Sequence, residues 1–169
     1  MRVLVIYFSY TSCVAALAEV IARELSAAGA VTVRAIEPRK SRGYWGWLAR
    51  SFIRGWRSPI LPTTTDLAPY DLVCLGFPKW TFACPPVNEY LCLAQSARGK
   101  RFALFMSYGG FDEERYLQGM VQRIKRLGGI VVAAQKVRRR QIRQGEHTEI
   151  LRQFCQQIRQ ACINSGAPG

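Results

Sequence analysis

The segment from Ser9 to Val14, "SYTSCV", carries three side-chain hydroxyls directly before a predicted helix. Backbone N–H groups at the start of a helix point outward with the positive end of the helix dipole, which suits a phosphate group. The segment has neither the GxxxxGK[ST] pattern of a nucleoside-triphosphate loop nor the GxGxxG pattern of a dinucleotide-binding loop. An ordinary Ser/Thr helix cap would use the same residues. Taken by itself the segment favours the cap, and phosphate binding is the alternative.

A stiff loop with a large aromatic side chain follows a later apolar run. In "LGFPKWTFACPP", from Leu75 to Pro86, three prolines restrict the backbone around Trp80 and lower the entropy cost of holding its ring in place. A fixed aromatic ring suits stacking on a flat heterocycle. The alternative is that Trp80 folds into the core, since Trp is highly buried on average.

A third segment, "SYGGF" from Ser107 to Phe111, also follows an apolar run. Its paired glycines would let backbone N–H groups approach a ligand closely, and Tyr108 offers a second aromatic face. A simple glycine turn explains the same residues equally well. The three segments together offer one phosphate-binding candidate and two aromatic rings.

Five short runs rich in Val, Ile and Leu alternate with helical patterns and must position these segments. The runs are Arg2–Phe8, Val31–Ile36, Asp71–Phe77, Arg101–Ser107 and Gly129–Val137. Continuous apolar runs are typical of strands buried on both faces, as in a parallel sheet. The alternation predicts one doubly wound α/β domain over residues 1–169, with helices on both faces of a five-stranded parallel sheet. Ligands bind such sheets beyond the carboxyl ends of the strands, where all three segments would lie.

With these motifs in this order, the chain resembles the flavodoxin-like proteins that bind FMN, a group that includes NAD(P)H:quinone reductases. "GFPKWTFACPP" resembles the ring-binding loop of that family, with its Gly-x-Pro-x-Trp start and Pro-Pro end, and "MSYGGF" resembles the third loop. The first loop departs from the family's Thr-Gly-Asn-Thr-like run, because Thr11 is followed here by Ser12, Cys13 and Val14. The resemblance implies the strand order 2-1-3-4-5.

The resemblance also implies which residues would contact the cofactor. The FMN phosphate would be held by Ser9, Tyr10, Thr11, Ser12, Cys13 and Val14. The isoalloxazine ring would lie against Trp80, in a loop shaped by Pro78, Lys79, Thr81 and Phe82. The pyrimidine side of the ring would meet Ser107, Tyr108, Gly109 and Gly110. No side chain is expected to act as a catalytic acid or base, and no metal site is expected.

Two functions from different classes fit this pattern. The first is a flavin-dependent oxidoreductase or electron carrier that uses FMN, with NAD(P)H as a candidate donor and a quinone-like or anionic acceptor. The second is a flavodoxin-shaped binding module that has lost FMN and binds an anionic partner, such as nucleic acid, a membrane surface or a protein. A visible absorption spectrum distinguishes the two.

The charge of the chain is opposite in sign to that of the small acidic flavodoxins. Lys and Arg total 24 against 11 Asp and Glu, giving a formal net charge of +13. Such a charge attracts phosphate groups, anionic cofactors, nucleic acid or anionic lipid. We therefore expect the redox partner to be anionic. The sequence contains no membrane-length apolar run and no signal peptide, which favours a cytoplasmic protein; whether it forms a homo-oligomer stays open.

Much of the positive charge lies in a basic Trp-rich segment, residues 38–62. Helical spacing predicts one apolar face made of Trp45, Leu48, Phe52 and Trp56, with Trp47 outside it. We expect this helix to cover the sheet as a crossover. Peripheral contact with an anionic membrane, or a subunit interface, is the alternative.

A second basic region, Lys136–Gln144, leaves the fifth strand at the expected ligand edge. It would attract the phosphates of NAD(P)H or another anion. A solvated run of charges is an equally good interpretation. The six cysteines show no metal-type spacing, and in a cytoplasmic protein they are expected to be reduced.

Overall fold

The computed structural model describes residues 1–164, so residues 165–169 of the predicted domain lie outside it. The strands are β1 (Arg2–Tyr7), β2 (Ala30–Ala35), β3 (Leu72–Pro78), β4 (Arg101–Tyr108) and β5 (Ile130–Arg138). They form one sheet in the order β2-β1-β3-β4-β5, and each neighbouring pair is parallel. The predicted fold class and strand order are confirmed.

Helices cover both faces of this sheet. They are α1 (Cys13–Ser26), α2 (Tyr44–Ser51), α3 (Pro85–Leu93), α4 (Glu113–Arg126), α5 (Arg139–Arg143) and α6 (His147–Asn164). Buried side chains of α1 and α6 form one core layer against the sheet, and those of α2, α3 and α4 form the other.

Strand β1 illustrates why the strands read as continuous apolar runs. Val3 and Val5 belong to the core layer under α1 and α6, whereas Leu4 and Ile6 belong to the opposite layer. All four side chains are fully buried, because successive residues of a strand point to opposite faces and both faces are covered. Each such burial stabilises the fold by roughly 1.5–3 kcal/mol.

The basic Trp-rich segment packs on the sheet through a different tryptophan from the one that helical spacing predicted. Trp47 is buried at 2% exposure and contacts Phe8 edge-on, with ring centroids 5.7 Å apart. Leu48, also placed on the predicted apolar face, is only half-buried. The other three members of that face are exposed, namely Trp45 (77%), Phe52 (55%) and Trp56 (40%).

The predicted apolar face was therefore wrong, although α2 does lie against the sheet. The helix ends at Ser51, so Phe52 and Trp56 lie beyond it and helical spacing no longer places them on one face. Trp47 and Ser51, four residues apart, form the buried side of α2 instead.

The ends of the segment are joined to each other. Pro38 and Ile60 form an antiparallel bridge, and the Arg39 N–H donates to the Pro59 carbonyl at 2.9 Å. The basic Trp-rich segment is therefore a long loop that leaves the sheet and whose two ends lie side by side. Of the helices within residues 1–164, none is long and apolar enough to cross a bilayer. All six cysteines lie in this range, and all are free thiols.

Candidate functional site

Three loops meet at the carboxyl edge of the sheet. They follow β1, β3 and β4, which lie side by side, so the strand order itself brings the three predicted segments together. The Lys79 N–H donates to the Ser107 carbonyl at 2.8 Å and links the second loop to the third. The rings of Tyr10 and Trp80, 5.5 Å apart between centroids, link the first loop to the second.

The first loop leaves most of its backbone N–H groups without a protein acceptor. Ser12 is the N-cap of α1 in a left-handed conformation with φ 59°, and its side chain makes no capping hydrogen bond. The Ser9 hydroxyl accepts the Ala15 N–H at 3.3 Å and partly fulfils the capping role instead. Among the described residues, no acceptor is found for the N–H groups of Tyr10–Val14.

The side chains of this loop fall into two groups. Tyr10, Thr11 and Ser12 are exposed at the edge, and Cys13 is half-buried. Val14 is 1% exposed and belongs to the core under α1, so only its backbone faces outward from the helix start. The apolar residue in place of the family's last hydroxyl therefore serves packing.

Trp80 is half-buried and lies between two tyrosines. Its ring centroid lies 5.5 Å from that of Tyr10, with planes at 61°, and 5.4 Å from that of Tyr44, with planes at 44°. The indole N–H is buried and has no hydrogen-bond partner in the part of the chain described. A buried donor without a partner is costly, so a ligand acceptor at this place would stabilise it.

Tyr44 is a candidate site residue that sequence reasoning missed. It is the first residue of α2, in the basic Trp-rich segment, and no local pattern connects it with Trp80. An aromatic residue at the start of a basic insertion was visible in the sequence, but only the packing of α2 beside the second loop brings the two rings together.

The rest of the second loop contacts the basic Trp-rich segment. Pro78 ends β3 and is buried. The Thr81 hydroxyl lies 2.6 Å from that of Ser51, and the Phe82 N–H donates to the Ser51 carbonyl at 2.9 Å. The ring of Phe82 is 49% exposed and lies beside Phe52, with centroids 6.0 Å apart. Thr81 and Phe82 therefore shape the loop from its outer side.

The third loop is bordered by arginines. Ser107 is buried at 1% exposure, and Tyr108 lies under the guanidinium of Arg138 at 5.6 Å from its ring centroid. The Arg139 side chain lies against Gly109, since a Cβ on this glycine would lie 3.4 Å from it, an ordinary contact distance. Gly110 is exposed with open space around its Cα.

The basic residues of the second region, Lys136–Gln144, have two different environments at the edge of the sheet. Lys136 is paired with two carboxylates, that of Glu113 at 3.6 Å and that of Glu114 at 2.8 Å. The hydrogen bond to Glu114 raises the pKa of Lys136, and the same bond lowers the pKa of Glu114. Arg138 and Arg139 contact the third loop and give the edge its positive charge.

Comparison with known proteins places the chain in a family. No family model matches it. It is 36% identical over 114 residues to an uncharacterised protein from Archaeoglobus fulgidus, and the match covers 66% of this chain and 69% of that protein. The chain belongs to the same family as this archaeal protein.

Solved structures identify the fold of this chain. A protein from Bacteroides uniformis, proposed to be a flavoprotein, superposes with a TM-score of 0.74 at 20% identity and covers 92% of this chain and 97% of its own. A flavoprotein from Lactobacillus acidophilus in complex with FMN gives 0.62 at 14%, covering 80% and 92%. The reduced flavodoxin of Megasphaera elsdenii gives 0.59 at 22%, covering 96% and 98%. The chain has the flavodoxin-like fold.

The carboxyl edge of this fold brings together hydrogen-bond donors, aromatic rings and cations. The first loop supplies N–H donors, and the second and third loops supply rings from Trp80 and Tyr108. Lys79, Arg138 and Arg139 add cations around them. These groups suit the binding and orientation of a ligand, and none of them forms the nucleophile–base pair that covalent catalysis requires.

Proposed function

We propose that this chain is a flavoprotein that binds FMN at the carboxyl edge of its sheet and transfers electrons to or from an anionic partner. The observation that carries the proposal is the meeting of the first and second loops, where Trp80 lies beside Tyr10 next to backbone N–H groups that lack a protein acceptor. The FMN complex of the L. acidophilus flavoprotein with the same fold supports the choice of ligand.

The residues at this edge fit both ends of FMN. The N–H groups of Tyr10–Val14, with the exposed hydroxyls of Thr11 and Ser12, would hold the phosphate. Trp80 would lie against the isoalloxazine ring, with its unpaired indole N–H as a donor. Tyr108 would offer the second aromatic face.

When bound, FMN supplies reversible uptake and release of electrons, and the chain supplies binding, orientation and local charge. Arg138 and Arg139 place positive charge beside the third loop. Such charge raises the encounter rate with an anionic molecule, and the effect weakens as salt is added. NAD(P)H as the donor and a quinone-like or anionic molecule as the acceptor are therefore part of the proposal.

Titration of the apo-protein with FMN and with riboflavin tests the proposal. FMN should bind and give the protein the yellow absorption bands of a flavin. It should bind more tightly than riboflavin, because only FMN offers a phosphate to the first loop. Trp80→Ala should weaken FMN binding by about 1–3 kcal/mol. Trp45→Ala, at a 77% exposed position, is the matched control and should leave FMN affinity unchanged. A colourless protein that does not bind added FMN would favour the scaffold alternative.

A second proposal concerns the basic Trp-rich segment, for which we infer peripheral contact with an anionic lipid surface. Large apolar side chains of this segment are exposed, namely Trp45, Phe52, Ile53 and Trp56, and the exposed Phe82 of the second loop lies beside Phe52. Arginines lie among them: the guanidinium of Arg50 is 5.9 Å from the Trp56 ring and that of Arg54 is 5.3 Å from the Phe82 ring. Exposed aromatic rings interleaved with cations suit a lipid interface.

Sedimentation with vesicles tests the membrane proposal. The protein should pellet with vesicles rich in phosphatidylserine, be released by salt, and not pellet with phosphatidylcholine vesicles, because each Lys or Arg near an anionic surface contributes roughly 1 kcal/mol. Phe52→Ser should reduce pelleting without unfolding the protein, since Phe52 is 55% exposed. Equal pelleting of this variant, or none by the parent chain, would contradict the proposal.

A further inference from the structure

A cavity of about 370 Å³ lies on the α2–α4 face, away from the first loop. Its walls come from the second loop, the start of α3 and the length of α4. Four arginines line it: Arg54, Arg115, Arg123 and Arg126. A volume of this size is at the lower end of small-molecule sites, so a compact ligand would fill it.

The cavity carries an excess of positive charge. None of its four arginines is paired with a carboxylate within residues 1–164. Asp112 is the acidic residue in its described lining. The hydroxyl of Tyr116, another lining residue, is buried without a hydrogen-bond partner in the described chain. Like charges gathered in a concave site concentrate the electrostatic potential and attract anions.

Arg123 is held in place by a network of hydrogen bonds. Its guanidinium donates to the side-chain oxygen of Asn88 and, at 3.2 Å, to the Asn88 carbonyl. The Asn88 amide donates in turn to the carbonyls of Trp56 at 2.7 Å and Arg54 at 3.3 Å. Asn88 is 2% exposed, so both its amide and the arginine bound to it have little freedom. A cation fixed before binding loses less entropy when a ligand arrives.

Burial lowers the pKa of Arg123, and the nearby charges of Arg126 and Arg57 lower it further. The protein therefore holds a partly buried guanidinium among other cations, an arrangement that an anion would stabilise. Ala83 and Met120 add apolar surface to the wall.

We propose that this cavity is a second anion-binding site, built for a small molecule that carries a diphosphate or two neighbouring phosphate groups. Guanidinium groups match phosphate oxygens with paired hydrogen bonds, and several of them can bind one polyvalent anion. The site uses none of the first-loop residues, although Thr81 and Phe82 from the loop beside Trp80 line it. Its four arginines lie outside the residues assigned to FMN.

Calorimetric titration of the full chain with inorganic pyrophosphate tests the site. We expect saturable binding at constant ionic strength that is stronger than binding of sulfate. Arg123→Gln should weaken it by roughly tenfold or more, because a bidentate charge-assisted contact is lost. Arg115→Gln, at an exposed rim residue outside the Asn88 network, should also weaken it and serves as the second variant if Arg123→Gln does not fold.

Arg23→Gln is the matched control, because Arg23 is exposed on α1, on the opposite face of the sheet. It makes the same change in net charge and should leave pyrophosphate affinity unchanged. Equal losses in all three variants, or no saturable binding by the parent chain, would overturn the site. A parallel titration with a nucleoside diphosphate distinguishes two possible ligands. Tighter binding than that of pyrophosphate indicates a nucleotide, and equal binding indicates the inorganic anion. Repeating the pyrophosphate titration with added FMN distinguishes the two sites. If FMN fails to bind, pyrophosphate should still bind with the same affinity.

Discussion

The hydroxyls of Ser51 and Thr81 lie 2.6 Å apart and join the end of α2 to the second loop. Ser51 donates its proton to the Leu48 carbonyl at 2.7 Å. A hydroxyl has one proton, so Thr81 must be the donor in the bond between the two. Ser51 is fully buried, and this contact positions the loop that carries Trp80.

Replacing Ser51 with Ala should lower the free energy of unfolding by about 1–2 kcal/mol, because the Thr81 hydroxyl loses its buried acceptor. Ser26→Ala is the matched control. Ser26 also ends a helix and donates to a carbonyl three residues back, that of Arg23 at 2.7 Å, but it is exposed. Urea unfolding of both variants measures the difference, and equal stability losses would argue against a role for the Thr81 contact.

Replacing Trp47 with Ala should lower the free energy of unfolding by about 3–5 kcal/mol, as expected for removal of a buried aromatic side chain. Trp45→Ala should change it by no more than about 0.5 kcal/mol, because Trp45 is 77% exposed. Denaturant unfolding followed by circular dichroism compares the two. A larger loss of stability for Trp45→Ala than for Trp47→Ala would instead support the apolar face that helical spacing predicted.

The protein should lose stability in alkali through its buried thiols. Burial raises the pKa of Cys84 from 9.0 to about 12. The thiol of the unfolded chain therefore releases its proton at a lower pH than the thiol of the folded protein. The contribution of Cys84 to the free energy of unfolding is fully present below pH 9 and is lost as the pH rises towards 12. Each such thiol lowers the free energy of unfolding by about 1.4 kcal/mol per pH unit in that window.

Urea unfolding at a series of pH values checks this effect. Cys84→Ala should reduce the alkaline slope of the free energy of unfolding, whatever its effect at neutral pH. Cys92→Ala should leave the slope unchanged, because Cys92 is exposed. An unchanged slope for Cys84→Ala would mean that this thiol does not stay protonated in the folded protein.

Neutralising Arg138 and Arg139 together with Gln should slow the reduction of the FMN-loaded protein by NADPH about tenfold at low salt, since both arginines border the third loop. The difference should shrink as salt is added. Stopped-flow absorbance at the flavin band measures the rate. A variant with Gln at both Arg23 and Arg152, which are exposed on α1 and α6, controls for the loss of two charges. Equal rates at low salt would exclude this arginine pair from the donor site.

The residues that the sequence identified correctly are those whose environment follows from their neighbours in the chain. The runs that became β1, β3 and β4 are apolar through most of their central positions, because both faces of the sheet are covered, and this can be read locally. The helical spacing of Val14, Leu17 and Ile21 can likewise be read from the sequence, and these residues form the buried face of α1. Three loops at one edge followed from the parallel order of the strands.

The residues that the sequence missed are those placed by contacts between distant parts of the chain. Helical spacing alone extended the second helix past Ser51, but there the chain turns to meet Thr81 and Phe82, and that contact selects Trp47 as the buried aromatic. Tyr44 reaches Trp80 for the same reason.

The sequence by itself determined the sheet, its layers and the edge where a ligand would bind, because hydrophobic periodicity is a property of neighbouring residues. The strand order was predicted only from the resemblance to flavodoxin-like proteins. Only the tertiary structure decided which basic side chains lie together. Arg123 sits far along the chain from Asn88 and Arg54, and only the packing of α4 beside α3 gathers them around one cavity. Side chains that meet by packing leave no periodic pattern, so their meeting is a consequence of the folded core and not of any local stretch of sequence.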